Sequence, residues 1–220
     1  MAGSKTQTEK SMTMSGVPEP RTAAGRERLE QIVQAAVKVI NESGLAGFSL
    51  PAVAAEVGIS HVGVLHYVGN KNALLLEVVK RVYDQTPRQN AFVDSYRAGG
   101  EHEGERPNLA EYCRIIVEEN SGRRPLVLLF HTLNSDSYLP DSPLHEYFAD
   151  RTRHMLGSDE ELNWNVPEGI DGDAAHSCAL ATMYGLEGRW LARPDEVDLV
   201  AEWARFEDFL FPLPLWEGYR

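Results

Sequence analysis

The sequence predicts an all-α fold. Apolar residues recur at helical spacing along most of the chain, and no run shows the sustained period-two alternation of a half-buried strand. Ser, Asn, Pro and Gly stand where helices would start and stop. Residues 1–24 are rich in Ser, Thr, Gly and Pro and nearly free of large apolar side chains, so they are expected to form a disordered tail. From Arg26 a first helix begins, with Leu29, Ile32, Val33, Ala36, Val37 and Ile40 on one face and Gly44 available as a left-handed cap. Ser49 stands as an N-cap with Pro51 in the first turn, where a missing N–H costs nothing; Val53, Ala54 and Val57 face inward and Gly58 ends the helix. Ser60 caps a third helix whose Val64 and Val68 lie four apart on its inner side. Asn70 starts a longer helix through Leu74, Leu75, Val78, Val79 and Val82 that ends before Pro87.

Arg97 to Asn108, "RAGGEHEGERPN", is Gly-rich and acidic and reads as a loop whose Glu and His residues are solvated charge rather than a metal site. Helices are expected at 109–120, 124–138, 142–155, 173–191 and 195–210.

Two of the predicted helices, at Ser49–Gly58 and Ser60–Val68, are too short to be stable alone. Packed on each other and on the first helix across a Gly-centred turn, they make a helix-turn-helix, whose second stub exists to be exposed and to enter a major groove. With Val64 and Val68 inward, His61, Leu65 and Tyr67 cannot all be buried. His61 and His66 can hydrogen-bond base edges or phosphates, and Tyr67 offers a hydroxyl and a flat ring. Lys71, beside the N-terminal amides of the following helix, suits a phosphate. Gly63 is unfavourable inside a helix by roughly 1 kcal/mol relative to Ala; close approach to DNA and close packing on the preceding helix would each explain it.

The net charge of −12 argues against nucleic acid only if it is spread evenly, and it is not. Residues 1–81 carry nine Lys and Arg against seven Asp and Glu, while residues 82–220 carry twelve against twenty-six. The acidity belongs to the C-terminal part. The longest apolar runs fall far short of the ~20 residues of a membrane span, the N-terminus lacks a signal-peptide core, and Cys113 and Cys178 show neither a disulfide framework nor metal spacing. A cytoplasmic protein without a cofactor or a metal is expected.

Residues 26–75 resemble the DNA-binding region of the TetR (tetracycline repressor) family of transcriptional regulators. "IVQAAVKVINESG" matches the first helix, "FSLPAVAAEVGIS" the second helix and turn, and "HVGVLHYVGNKNALL" the recognition helix and the Lys-bearing start of the fourth. The resemblance implies DNA contacts at Ser49, Ser60, His61, Val62, Gly63, Leu65, His66, Tyr67 and Lys71. Many members carry Tyr where this chain has Leu65 and Phe where it has Val68.

The resemblance further implies a DNA-binding domain over 25–70, a linking helix over 71–87, and an effector-binding and dimerisation domain over 88–220. Members are homodimers joined through the last two long helices, here 173–191, with Gly185 and Gly188, and 195–210. They bind pseudo-palindromic operator DNA, usually as repressors, and release it when a small effector enters a pocket. "LVLLFHTLNSDSYL", Leu126 to Leu139, is an apolar helix interrupted by His131, Asn134 and Tyr138; with Tyr112, Phe130, Trp164 and Tyr184 as walls it is the candidate pocket. From spacing alone, core packing is the favoured explanation of each aromatic, and a hydrogen-bonded core histidine is the favoured reading of His131. No nucleophile elbow, P-loop, dinucleotide fingerprint or zinc spacing is present, so the chain is not expected to be an enzyme. The alternative is a constitutive DNA-binding regulator whose C-terminal domain only dimerises or binds a protein partner.

Overall fold

The computed structural model describes residues 20–153 and 163–220, together with Val17. The expected tail lies mostly outside the described residues, as does the end of the helix expected over 142–155. Ten α-helices and one π-turn make up the described fold, with a lone bridge between Asn108 and Asn165 as its only sheet-like pairing. Among the described residues no helix is long and apolar enough to cross a membrane.

The chain divides into two compact units, Met1–Val78 and Val79–Arg220. In the first, α1 spans Ala23–Gly47, three residues earlier than the apolar face alone suggests, because Thr22 accepts a hydrogen bond from Gly25 N and caps it. Gly44 has φ 64 but ψ 178, so it is not the left-handed cap expected there; it makes a kink inside α1, which runs on to Gly47 and is capped at Phe48. Next come α2 (Leu50–Val57), α3 (His61–Val68) and α4 (Lys71–Val78). Ser49 accepts from Ala52 N (3.3 Å), Ser60 from Gly63 N (3.0 Å) and Asn70 from Ala73 N (2.9 Å), so each start has a side-chain cap. Gly58 closes α2 at φ 75, ψ 32. Ile32, Val33, Ala36 and Ile40 of α1 are fully buried, as are Val53 of α2, Val64 and Val68 of α3 and Leu74 of α4. This shared core is what stabilises stubs too short to stand alone.

The second unit opens with the π-turn Val79–Tyr83, directly after α4. Its helices are α5 (Pro87–Ser95), α6 (Leu109–Ser121), α7 (Arg124–Asp136), α8 (His145–Arg153), α9 (Gly172–Ala192) and α10 (Leu199–Leu210). The sequence reading missed α5. Pro87, read there as the stop of the preceding helix, is the first residue of a new one, capped by Thr86, which accepts from Gln89 N at 3.2 Å. The last helix starts at Leu199 and not at Asp195, because Asp198 takes the cap by accepting from Ala201 N (3.0 Å). The 97–108 loop forms turns: Gly99 N donates to Glu103 (2.8 Å), and His102 stacks on Tyr96 (centroids 5.1 Å apart).

Candidate functional site

Two regions carry the chemistry, one in each unit. In the first, burying Val64 and Val68 turns the opposite side of α3 to solvent. His61, Val62 and His66 are exposed, Val62 at 73 %. Gly63, Leu65 and Tyr67 are half-buried, with the Tyr67 ring edge-on to His66 at 5.6 Å. Ser49 and Ser60 spend a lone pair on capping, which leaves each hydroxyl proton able to donate elsewhere. Lys71 is exposed, but its Nζ donates to Phe48 O at 2.9 Å and lies 5.4 Å from the Phe48 ring centre. One of its three protons thus ties the start of α4 to the α1–α2 junction. From Ser43 to Lys71 the only carboxylate is Glu56, and Lys38 pairs with it at 2.6 Å. The outer side of α3 therefore presents donors and an apolar tip with no acid of its own. A Cβ on Gly63 would meet Ser60 Oγ at 3.3 Å and Ile59 Cδ1 at 3.6 Å, with no atom of α2 among its nearest neighbours. The closest neighbours of that Cβ are thus residues of the turn between α2 and α3.

In the second unit the residues expected to line one pocket fall into three groups. Phe130, His131 and Tyr184 meet. The fully buried Phe130 stacks on Tyr83 (4.7 Å, 11° between planes) and is tilted against Tyr184 (5.5 Å) and Phe148 (5.8 Å). Tyr112 and Trp164 (5.4 Å apart) belong to a different cluster with Phe92 and His176. Asn134 and Tyr138 pair with each other instead: Asn134 Nδ2 donates to the Tyr138 hydroxyl at 3.0 Å, and Tyr138 is 70 % exposed, because α7 ends at Asp136 and its ring leaves the helix face.

Polar groups not anticipated from sequence organise the first cluster. Glu187, wholly buried on α9, accepts from Asn120 Nδ2 (2.6 Å) and bonds His131 Nε2 (2.8 Å). Asn120 Oδ1 accepts from Arg123 (2.7 Å), whose guanidinium also donates to Val82 O and Tyr83 O at 3.2 Å each. Arg123 thereby satisfies carbonyls at the end of the π-turn and lies 5.0 Å from the Tyr83 ring centre. Beside it Arg151 grips Asp84. Burial pushes the Tyr83 hydroxyl well above its ordinary range, with the Glu187 charge adding to it.

These positions were partly legible. His176, Leu180, Met183, Glu187 and Trp190 recur at spacings of four, three, four and three, a single inner stripe of α9, and all five are buried. A histidine and a glutamate within an otherwise apolar stripe mark buried polar groups.

His176, 7 % exposed, is held neutral: burial lowers its pKa to about 4 against an ordinary 6.5. The unfolded chain takes up this proton near pH 6.5 and the folded chain only near 4. Between those values the unfolded state binds more protons, so stability falls as pH falls. Compared with a His176→Gln chain, the parent should lose about 2–3 kcal/mol more between pH 7 and 4. Urea midpoints of the two chains across this range measure it, and parallel pH profiles would contradict it.

Residues 32–78 match the family described as bacterial regulatory proteins, tetR family. No curated protein sequence matches the chain. Among solved structures the chain is similar to the transcriptional regulator FadR from Bacillus subtilis in complex with stearoyl-CoA, with TM-score 0.55 and 18 % identity over 82 % of this chain and 96 % of that one. It is similar to a TetR-family transcriptional regulator from Mesorhizobium loti (TM-score 0.60, 17 % identity, 86 % and 95 % covered). It is also similar to SmeT in its triclosan complex (0.60, 20 %, 84 % and 90 %). At these identities the likeness is one of fold.

Proposed function

We propose that this member of the tetR family of bacterial regulatory proteins is a homodimeric repressor that binds a pseudo-palindromic operator in the cytoplasm and releases it when a small organic effector enters the second unit. The observation that carries the DNA reading is the outer side of α3, where His61, Val62 and His66 are exposed over a stretch whose one acid is already paired. On this reading His61, Val62 and His66 meet base edges, Gly63 lets the backbone approach, and Ser49, Ser60, Tyr67 and Lys71 bond phosphates. Leu65, half-buried and without a polar group, adds only apolar contact.

Two-fold pairing is supported by α9. Cys178, Ala181, Gly185 and Gly188 form an exposed stripe of small residues, and a Cβ built on either glycine meets nothing within 4 Å. Phe209 of α10 is 83 % exposed. Dimerisation would cover these surfaces, and two recognition helices would then address half-sites about one helical turn apart. An effector is supported by the stearoyl-CoA of FadR and the triclosan of SmeT, two unlike ligands held by proteins of this fold.

The test is Gly63→Ala. Ala should change the stability of α3 by no more than about 1 kcal/mol either way, since the backbone there is ordinary helix but the new Cβ meets the capping Ser60 Oγ at 3.3 Å. It should also weaken DNA binding at least about tenfold, or roughly 1.4 kcal/mol, by holding the helix away from the groove. Thermal unfolding and fluorescence anisotropy on the same preparation give both numbers. A variant that stays folded and binds DNA equally tightly would remove α3 as the reading element.

A further inference from the structure

Asp84 is the first residue after the π-turn, and its carboxylate sits in a site that other elements build around it. Arg151 of α8 donates from Nε to both carboxylate oxygens (3.1 Å each) and from Nη2 to Oδ1 (2.7 Å). The Tyr147 hydroxyl donates to Oδ2 at 2.7 Å. The remaining arginine amine, Nη1, donates to the Tyr184 hydroxyl at 2.9 Å, and the guanidinium lies over the Phe130 ring at 4.6 Å. Tyr83 and Phe148 pack beside Phe130, and all three are buried.

A planar guanidinium fork and a phenol donor recognise a carboxylate, and the half-buried rings of Tyr147 and Tyr184 offer apolar surface beside it for an attached body. Asp84 supplies the carboxylate without the body. The pair is not sealed: the side chains are 13 % (Arg151) and 18 % (Asp84) exposed, so Asp84 can turn out to water while another carboxylate takes its place. The exchange is one for one in hydrogen bonds and in charge, and the incoming molecule adds apolar burial that Asp84 lacks. A dianion fits less well. The Arg151 fork takes one carboxylate from Asp84, and Glu187 already acts on Tyr184 as a second negative group.

We propose that Arg151, Tyr147 and Tyr184 form a carboxylate-binding site whose resting occupant is Asp84, and that the effector is a monoanionic organic acid with an apolar body that displaces it. This identification of the ligand rests on the effector reading above. It also supplies a lever. Arg123 holds the end of the π-turn by its carbonyls and Arg151 holds it through Asp84; displacement removes the second hold from a segment that α4 immediately precedes in the chain. A ligand that binds only the displaced state shifts the population toward it.

The experiment is calorimetric titration of the full chain with benzoate and octanoate, and with benzyl alcohol and octanol as uncharged counterparts. In the parent the acids should bind at least tenfold tighter than the alcohols. Asp84→Asn removes the internal competitor and should tighten the acids at least tenfold while leaving the alcohols unchanged. Arg151→Gln should bring the acids down to the affinity of the alcohols. Tyr147→Phe removes one donor and keeps the ring; because Asp84 shares that donor, the substitution is read in the Asp84→Asn chain, where it should weaken the acids several-fold, and it serves if Arg151→Gln does not fold, as circular dichroism would show. Acids that bind no tighter to Asp84→Asn than to the parent, that bind Arg151→Gln as well as the parent, or that bind Asp84→Asn equally well with and without Tyr147→Phe, would overturn the site. If the expected titration pattern holds, the site stands; DNA affinity unchanged by saturating octanoate would then overturn only the release reading.

Discussion

Phe130→Ala should lower the stability of the second unit by about 3–5 kcal/mol, the range for truncating a large buried aromatic. Phe130 is fully buried and has ring contacts on several sides, from Tyr83 stacked at 4.7 Å to Tyr184, Phe148 and the Arg151 guanidinium. The neighbours cannot collapse into the space cheaply. Tyr83 belongs to a π-turn pinned by Arg123, and Arg151 is committed to Asp84. The loss is thus transfer energy plus a cavity plus the cation–π contact. Phe130→Leu should recover more than half of it. Urea unfolding of the three chains decides the matter, and a cost below about 1.5 kcal/mol would mean the cluster repacks freely.

Glu187→Ala should cost about as much for a different reason. Its carboxylate is wholly buried and bonded at both oxygens, to Asn120 at 2.6 Å and His131 at 2.8 Å. Truncation leaves an amide and an imidazole without their partner in a poorly solvated place, and removing one member of such a buried pair costs about 3–5 kcal/mol. Glu187→Gln keeps the shape and one good acceptor, so it should cost only about 1 kcal/mol. In a double-mutant cycle with His131→Leu the two losses should fail to add by at least about 1 kcal/mol. Additive losses would show that His131 and Glu187 do not act as a unit. The pairing with Glu187 gives His131 a buried hydrogen-bond partner inside its apolar run.

The first unit was legible because its boundaries rest on local chemistry. Ser49, Gly58, Ser60 and Asn70 announce their roles within three or four residues, and Val64 and Val68 fix which side of α3 faces out. α5 escaped because proline carries two meanings: Pro87 can close one helix and open the next, and the adjacent Thr86 was the sign that it opens one here. In the second unit the aromatics were visible but their grouping was not. Tyr112 and Phe130 are equally apolar in sequence, and only the tertiary arrangement sends one toward Trp164 and the other toward Tyr83. The polar organisers divide the same way. Glu187 and His176 show in the stripe of α9, whereas Asp84 and Arg151, sixty-seven residues apart, leave no local trace of their pairing.

Selection of duplex DNA from a random library by the full chain tests the central claim most directly. The account predicts enrichment of one sequence with two-fold symmetry and half-sites about one helical turn apart, and loss of that enrichment when His61, Val62 and His66 are all replaced by alanine in a chain that still folds. No enriched sequence, or the same sequence enriched by the alanine chain, would contradict it.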